Sequence, residues 1–343
     1  MRKIVAWLVL VLSLLAKPTS AAVDPLRGVA AHPDLAYLRD GLDKHALDVF
    51  SPHVGAGLPV FIFVHGGGWT DGDRRNYAFI ARAIAAEGIV VVVPSYRLWP
   101  TTDAAGMAAD IGAATAWTFA HIRDYGGDPR HVVIGGHSAG GHLAALVAFD
   151  SRYRHDAGAT ADRLAGVALL SGVYDLRTPN FTDDALFGTT LKRRTELSPV
   201  MYVAEAEPPV FAVCASQDGP GACRNRDRLA AVISEAHARV RSFDARDRTH
   251  ISEIANMADR LDDPLRAALA AFIIDPSHET LSVRGDLTEV EECDESHAPD
   301  DISDQHRNEK SAEIRKRRDR AAFDGVEHVN RARDNMREFC SGE

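Results

Sequence analysis

The chain has 343 residues, of which 45% are hydrophobic and 26% are charged, which is enough to bury one large core or two modest ones. Its formal net charge of -10 argues against a nucleic-acid-binding protein, because binding phosphates requires a basic surface. The composition therefore indicates a globular protein whose acidity favours solubility, with no nucleic acid as a partner.

The first 22 residues form a segment of their own. Arg2 and Lys3 precede an apolar run at residues 4–16, and small residues close the segment. This order is typical of a secretory signal peptide. The run is shorter than the about 20 residues that span a bilayer, which favours a signal peptide over an uncleaved N-terminal anchor. Both interpretations predict export, with the protein secreted or periplasmic after cleavage and membrane-tethered without it. No later stretch is long and apolar enough to cross a membrane.

Residues 23–276 are predicted to alternate between strands and helices. Strands are expected at residues 45–50, 59–64, 89–93, 132–134, 163–170, 209–213 and 240–243, the first of them at a sheet edge. Helices are expected at residues 76–87, 104–125, 139–149 and 226–237, and over most of residues 251–274, with a polar insertion at residues 174–202. Nearly all-apolar strands between helices predict a doubly wound, mostly parallel α/β sheet in one domain.

The composition changes sharply after residue 276. Residues 277–343 are dense in charge and poor in aliphatic side chains, with acidic clusters at residues 289–304 and a basic run at residues 315–318. We expect a charged extension that is disordered or loosely helical. Its basic run is either a solvated face or a contact for an acidic partner.

Export would allow the four cysteines to form disulfides. They fall into two local pairs, Cys214 with Cys223 and Cys293 with Cys340, although the sequence leaves all three pairings open. The alternative for Cys214, at the end of an apolar strand, is a small buried hydrophobic side chain. No cysteine and histidine cluster has zinc spacing, so no metal site is predicted.

The stretch Gly136-His137-Ser138-Ala139-Gly140 joins a predicted strand to a predicted helix. In that context G-x-S-x-G is a nucleophile elbow, a tight turn that raises the serine hydroxyl above the end of a parallel sheet. The glycines are needed because a Cβ at either flank would collide with neighbouring backbone. Ser138 is the predicted nucleophile, on the condition that the chain supplies the groups that activate it.

Donors for an oxyanion are predicted in the stretch that follows the strand at residues 59–64. Successive glycines let backbone N–H groups point at developing negative charge. The predicted donors are Gly66, Gly67, Gly68 and the N–H of Ala139. The histidine before the glycines, His65, is expected to support the loop.

His250 is the predicted general base among 15 histidines. It lies in a polar loop between a predicted strand and a predicted helix, at the end of the sheet where ligand-facing groups of open α/β folds lie. His137 and His142 flank the elbow too closely to fold back onto Ser138. A serine hydroxyl is a poor nucleophile at neutral pH, so a base in this position is required.

Asp218 is the predicted acid that orients the base. It follows the strand at residues 209–213, and the chain order serine, aspartate, histidine matches that of this kind of fold. Asp175, after the preceding strand, is the competing choice. Asp244 and Asp247 are close to the base in sequence and are interpreted as turn or surface groups.

Five features together resemble the α/β-hydrolase esterases of the hormone-sensitive-lipase and feruloyl-esterase-like (BD-FAE-like) groups. They are HGGGW at residues 65–69, GHSAGGHL at residues 136–143, Tyr174-Asp175-Leu176, the Asp218 loop and His250. The resemblance covers about residues 47–274. It implies hydrolysis of small or aromatic carboxylic esters through an acyl-enzyme, with no cofactor.

Two other functions stay open at this point. The histidine-glycine-glycine-x-tryptophan pattern at residues 65–69 also resembles kynurenine formamidase, so an arylformamidase or amidase of the same fold is one alternative. A non-catalytic hydrolase-like binding protein is the other. The charged extension and the loop at residues 216–226 depart from the family pattern.

Overall fold

The computed structural model describes residues 28–159, 164–177, 184–205, 207–218, 222–260 and 262–278. The leader, nearly all of the charged extension, and the second cysteine pair lie outside the described residues, so those predictions stay predictions. Within the described residues, no helix combines the length and the apolar character needed to cross a membrane.

Strands and helices alternate through the described part of the chain. The strands are β1 Val29–Ala36, β2 Ala46–Pro52, β3 Leu58–Val64, β4 Val90–Pro94, β5 Gly127–His137, β6 Gly166–Leu170, β7 Val210–Ala215 and β8 Val240–Ala245. The helices are α1 Ala78–Ala85, α2 Ala104–His121, α3 Ala139–Phe149, α4 Arg152–Asp156, α5 Asp184–Phe187, α6 Leu191–Glu196, α7 Ala222–Glu235, α8 Ser252–Asp259 and α9 Pro264–Ile274.

The eight described strands form one sheet in the order β1-β2-β4-β3-β5-β6-β7-β8. Strand β2 is antiparallel to both of its neighbours, whereas every pairing from β4 to β8 is parallel. The predicted mostly parallel, doubly wound α/β sheet is therefore confirmed. Because the parallel strands end at one edge of the sheet, the loops after β3, β5, β7 and β8 are brought together there.

The sheet is buried on both faces, which explains why its central strands are continuously apolar. In β3, Val60, Ile62 and Val64 face one hydrophobic cluster, which α2, α3 and α7 cover. Phe61 and Phe63 face the opposite cluster, which α1, α8 and α9 cover.

The predicted edge position of the first strand is wrong, because β1 pairs along the outer side of β2. Its pairing register shifts between His32 and Leu35, where Pro33 and the left-handed Asp34 (φ 59°) interrupt it. Strand β1 carries no apolar run and only partly buries its side chains, since an edge strand needs to cover the core on one face only.

In two segments the structure shows separate helices that the sequence did not distinguish. The predicted helix at residues 251–274 is two helices, and α9 begins where the Asp263 side chain accepts a hydrogen bond from the N–H of Arg266. Such a side-chain cap satisfies one of the free N–H groups at a helix start. The polar insertion at residues 174–202 contains the short helices α5 and α6.

Candidate active site

Ser138 lies at the sharp turn between β5 and α3, with φ 58° and ψ -122°. A non-glycine residue rarely adopts a positive φ, and such strain is typical of functional turns. A Cβ added to Gly136 would lie 2.5 Å from the backbone oxygen of Val64, and one added to Gly140 would lie 2.1 Å from the same atom. Only glycine fits at either flank, so the turn packs directly against the end of β3.

His250 and Asp218 form a hydrogen-bonded pair beside this turn. The Nδ1 atom of His250 is 2.5 Å from Oδ2 of Asp218. Asp218 follows β7 and His250 follows β8, so both come from the edge of the sheet that carries Ser138. The ring centroids of His250 and His137, the residue before Ser138, are 4.5 Å apart. The structure thus brings His250 and Asp218 together and packs His250 against His137, the residue that precedes Ser138.

Asp175, the competing acid, interacts with two arginines. Arg177 donates two side-chain hydrogen bonds to its carboxylate, each 2.8 Å long, and Arg228 lies 2.9 Å from it. Burial acts to raise the pKa of Asp175, but the hydrogen bonds from Arg177 outweigh burial and hold that pKa below its usual value. Asp175 is therefore an ionised partner for arginines and is not bonded to His250.

A disulfide joins Cys214, at the end of β7, to Cys223 in α7. The bridge encloses the loop that carries Asp218. These two sulfurs and a carboxylate oxygen of Asp244 form a group compact enough for a metal ion. Sulfurs bonded to each other offer no thiolate, however, and Asp244 is ion-paired with Arg226, so this group does not make a metal site.

The glycine loop after β3 presents N–H groups next to Ser138. Gly67 and Gly68 are exposed and have φ values of 124° and 59°. Among the described residues, none accepts a hydrogen bond from the N–H of Gly67, Gly68 or Ala139. Gly66 is buried against Ser138, and burial raises the pKa of the Tyr77 hydroxyl nearby. Ala139 also begins α3, whose N-terminal dipole favours negative charge.

His65 is fully buried beneath the glycine loop, between the rings of Tyr77 and Tyr96. Its Nδ1–H donates a hydrogen bond of 2.8 Å to the oxygen of Gly66, and the Tyr96 hydroxyl donates one of 2.9 Å to the His65 oxygen. Burial lowers the pKa of His65 to about 4. A neutral ring that bonds the loop backbone is consistent with the supporting role expected of this residue.

His142 has a structural role that the sequence did not reveal. Its Nδ1 accepts a hydrogen bond of 3.2 Å from the indole N–H of Trp69. Its Nε2–H donates one of 2.9 Å to the oxygen of Leu197. Burial lowers the pKa of His142 to about 4, so the ring is neutral with this tautomer. One side chain therefore ties the glycine loop to α3 and to the insertion. Only the closeness of His142 to the elbow marked it in the sequence.

A serine at a nucleophile elbow, a glycine loop and a histidine–aspartate pair at the carboxyl edge of a parallel sheet are features of the α/β-hydrolase class. The chain matches the family model described as BD-FAE over residues 47–220. It belongs to that family.

Known proteins of similar sequence and structure carry esterase names. The chain is 30% identical over 212 residues to LipM of Mycobacterium tuberculosis, named a probable carboxylic ester hydrolase, covering 56% of this chain and 49% of LipM. It is 32% identical over 181 residues to esterase LipC of the same organism, covering 47% and 44% of the two chains. The chain thus spans about half the length of the curated relatives it matches.

The solved structure of an inhibited esterase B from Lactobacillus rhamnosis shares the fold. It superposes with a TM-score of 0.62 at 24% sequence identity, covering 71% of this chain and 84% of esterase B. The agreement supports the α/β-hydrolase architecture described above.

Proposed function

We propose that the protein is a serine carboxylesterase that hydrolyses small or aromatic carboxylic esters through an acyl-enzyme. The observation that carries the proposal is the placement of Ser138 at a strained elbow beside His250, whose ring is bonded to Asp218. The names of LipM and LipC, which both describe ester hydrolysis, support the same reaction.

In the first half of the proposed reaction, Nε2 of His250 takes the proton of the Ser138 hydroxyl as its oxygen attacks the ester carbonyl. Asp218 holds the Nδ1–H side of the ring, which fixes the tautomer and stabilises the imidazolium. The N–H groups of Gly67, Gly68 and Ala139 bind the oxyanion of the tetrahedral intermediate. The imidazolium then protonates the departing alcohol and leaves the acyl group on the serine.

In the second half, His250 takes a proton from water as the water oxygen attacks the acyl carbon, and the imidazolium then returns that proton to the departing Ser138 oxygen, which releases the acid and restores the free enzyme. The same N–H donors bind the second oxyanion, so one set of groups serves both steps. The partly exposed indole of Trp69 packs edge-to-face on the buried ring of Phe187, with centroids 4.9 Å apart, and places apolar surface beside the glycine loop. That surface favours a small or aromatic organic group on the substrate.

The proposal is tested with p-nitrophenyl acetate and the Ser138→Ala variant. We expect kcat/KM to fall by about 10⁵-fold or more, as in other serine hydrolases that lose the nucleophile. Ser151→Ala, at the start of α4, is a matched control that should retain the wild-type rate. Equal rates from wild type and Ser138→Ala would exclude the proposal. In a panel of esters of graded acyl length, a feruloyl ester and N-formylkynurenine, fastest turnover of the formamide would reassign the enzyme as an amidase.

We also propose that the protein is exported. Support comes from the basic, apolar and small-residue order of the first 22 residues and from the disulfide between Cys214 and Cys223, a bond favoured outside the cytosol. Intact-mass measurement of the protein expressed with its leader should show loss of about the first 22 residues in the exported fraction. Full-length protein retained in the cytoplasm with reduced thiols would contradict this proposal.

A further inference from the structure

A buried carboxylate lies close to the site without a part in the reaction described above. Glu253, in the first turn of α8, has no exposed surface. Within the described residues, neither of its carboxylate oxygens has a hydrogen-bond partner. Burying a charge costs several kcal/mol unless it is compensated, so an apolar residue would serve packing better at this position.

The basic side chain nearest to this carboxylate in the described contacts is His137, whose Nε2 is 3.5 Å from Oε2 of Glu253. Arg248, just before α8, donates to the backbone oxygen of Glu253 at 3.3 Å, and its guanidinium is ion-paired with Asp263. The carboxylate therefore faces the ring of His137.

His137 in turn holds the backbone of the proposed base. Its Nε2–H donates a hydrogen bond of 2.9 Å to the carbonyl oxygen of His250. His137 is the last residue of β5 and is paired there with Leu170 of β6, so the sheet fixes its position. Since Ser138 is the next residue, this hydrogen bond ties the loop of the base to the strand that carries the nucleophile.

His250 is consequently held at two points that do different work. Asp218 bonds the ring at Nδ1 and sets its tautomer. His137 bonds the main-chain carbonyl and so fixes the position of the backbone from which the His250 side chain extends. Ring orientation alone does not place Nε2 over the serine hydroxyl. A misplacement of about 1 Å can cost about 10²-fold in rate.

We propose that Glu253 and His137 are positioning residues for ester hydrolysis, with Glu253 orienting the His137 ring so that its Nε2–H holds the His250 carbonyl. The inference rests on the proposed function for its kinetic consequence. Geometrically it rests on the buried, unpartnered carboxylate and on the His137 contact. Neither residue touches the substrate.

The kinetic test uses single and double variants in the full chain. We expect His137→Leu to lower kcat by about 10- to 100-fold with KM within about twofold, because the base is displaced while binding is kept. His137→Gln, which restores an N–H near the Nε2 position, should recover most of the loss. We expect Glu253→Leu to lower kcat by about tenfold. The double variant should be no slower than His137→Leu alone within about twofold, because Glu253 acts through that ring.

A matched control comes from the same strand. His131 makes the same kind of bond, with Nε2 2.9 Å from the oxygen of Ile273, but it lies six positions before His137. His131→Leu should leave kcat within about twofold of wild type. Losses that multiply in the double variant, or a His137→Leu protein as active as His131→Leu, would overturn the inference. If His137→Leu does not fold, the kcat values of His137→Gln and Glu253→Leu are compared with that of His131→Leu instead. A Glu253→Leu protein as active as His131→Leu would then overturn the inference.

A spectroscopic readout separates this inference from the proposed function. In the Ser138→Ala background, the downfield NMR resonance of the proton between His250 and Asp218 should shift or broaden with His137→Leu and stay unchanged with His131→Leu. A response of this resonance, together with a wild-type protein that hydrolyses no ester, would uphold the positioning role of His137 and reject the esterase. Wild-type esterase activity with an unresponsive resonance would reject the positioning role of His137 alone.

Discussion

Replacing Asp218 by Asn tests the proposed triad most directly. Asn keeps the size of the side chain but cannot hold the His250 tautomer or its cation, and the same change in a serine protease costs about 10⁴ in kcat. That loss is about 5.4 kcal/mol at 1.36 kcal/mol per tenfold. Here the side chains of His250 and Asp218 are 31% and 24% exposed, so water can replace part of the carboxylate's interaction. We therefore expect kcat to fall by about 10² to 10⁴, with KM little changed.

The control for this experiment is Asp175→Asn. Asp175 is 1% exposed and bonded to Arg177 and Arg228, so its replacement removes a buried charge from its partners and should lower the melting temperature. Its kcat for p-nitrophenyl acetate should stay within about threefold of wild type. A larger kcat loss from Asp175→Asn than from Asp218→Asn would refute the assignment of the acid.

Three further outcomes are expected. The pKa values of the buried His65 and His142 are about 4, below the about 6.5 of an unfolded histidine. The unfolded state therefore takes up protons first as pH falls, and urea denaturation should show stability dropping between pH 6.5 and 4 by about 1.4 kcal/mol per unit for each ring; a constant free energy of unfolding would contradict this. Replacing Cys214 and Cys223 by Ser should lower the free energy of unfolding by about 2–3 kcal/mol, from the size of the loop they close, and an unchanged urea midpoint would count against it. Gly140→Ala should reduce both stability and kcat, because its Cβ would lie 2.1 Å from a backbone oxygen of β3; a fully active, equally stable variant would disprove the steric argument.

The central sheet could be predicted from the sequence because parallel strands are covered on both faces. Strands β3, β4 and β7 have almost no exposed side chains, and such strands appear as unbroken apolar runs. Strand β1 has no such run, since it lies at the edge and is interrupted at Pro33 and Asp34. Its existence depends on pairing with β2, a contact that leaves no local pattern.

In the site, too, features with a local sequence pattern could be predicted, and contacts between distant segments could not. The elbow at Ser138 and the glycine loop are contiguous motifs whose shape is determined by their own residues. His250 and Asp218 could be proposed because each follows a recognisable strand. The contacts of Glu253 and His142 join segments far apart in sequence, 55 residues in the case of His142 and Leu197. No spacing rule encodes such contacts, so only the folded chain reveals them.

His142 is hydrogen-bonded to the insertion through the main-chain oxygen of Leu197 and not through a side chain. Every amino acid supplies that oxygen, so the bond is indifferent to which side chain stands at position 197. Substitutions at exposed positions of the insertion, such as Leu191 and Met201, can therefore leave this tie between the glycine loop and α3 in place. The surface of the insertion can thus vary in sequence while both hydrogen bonds of His142, next to the elbow, are kept.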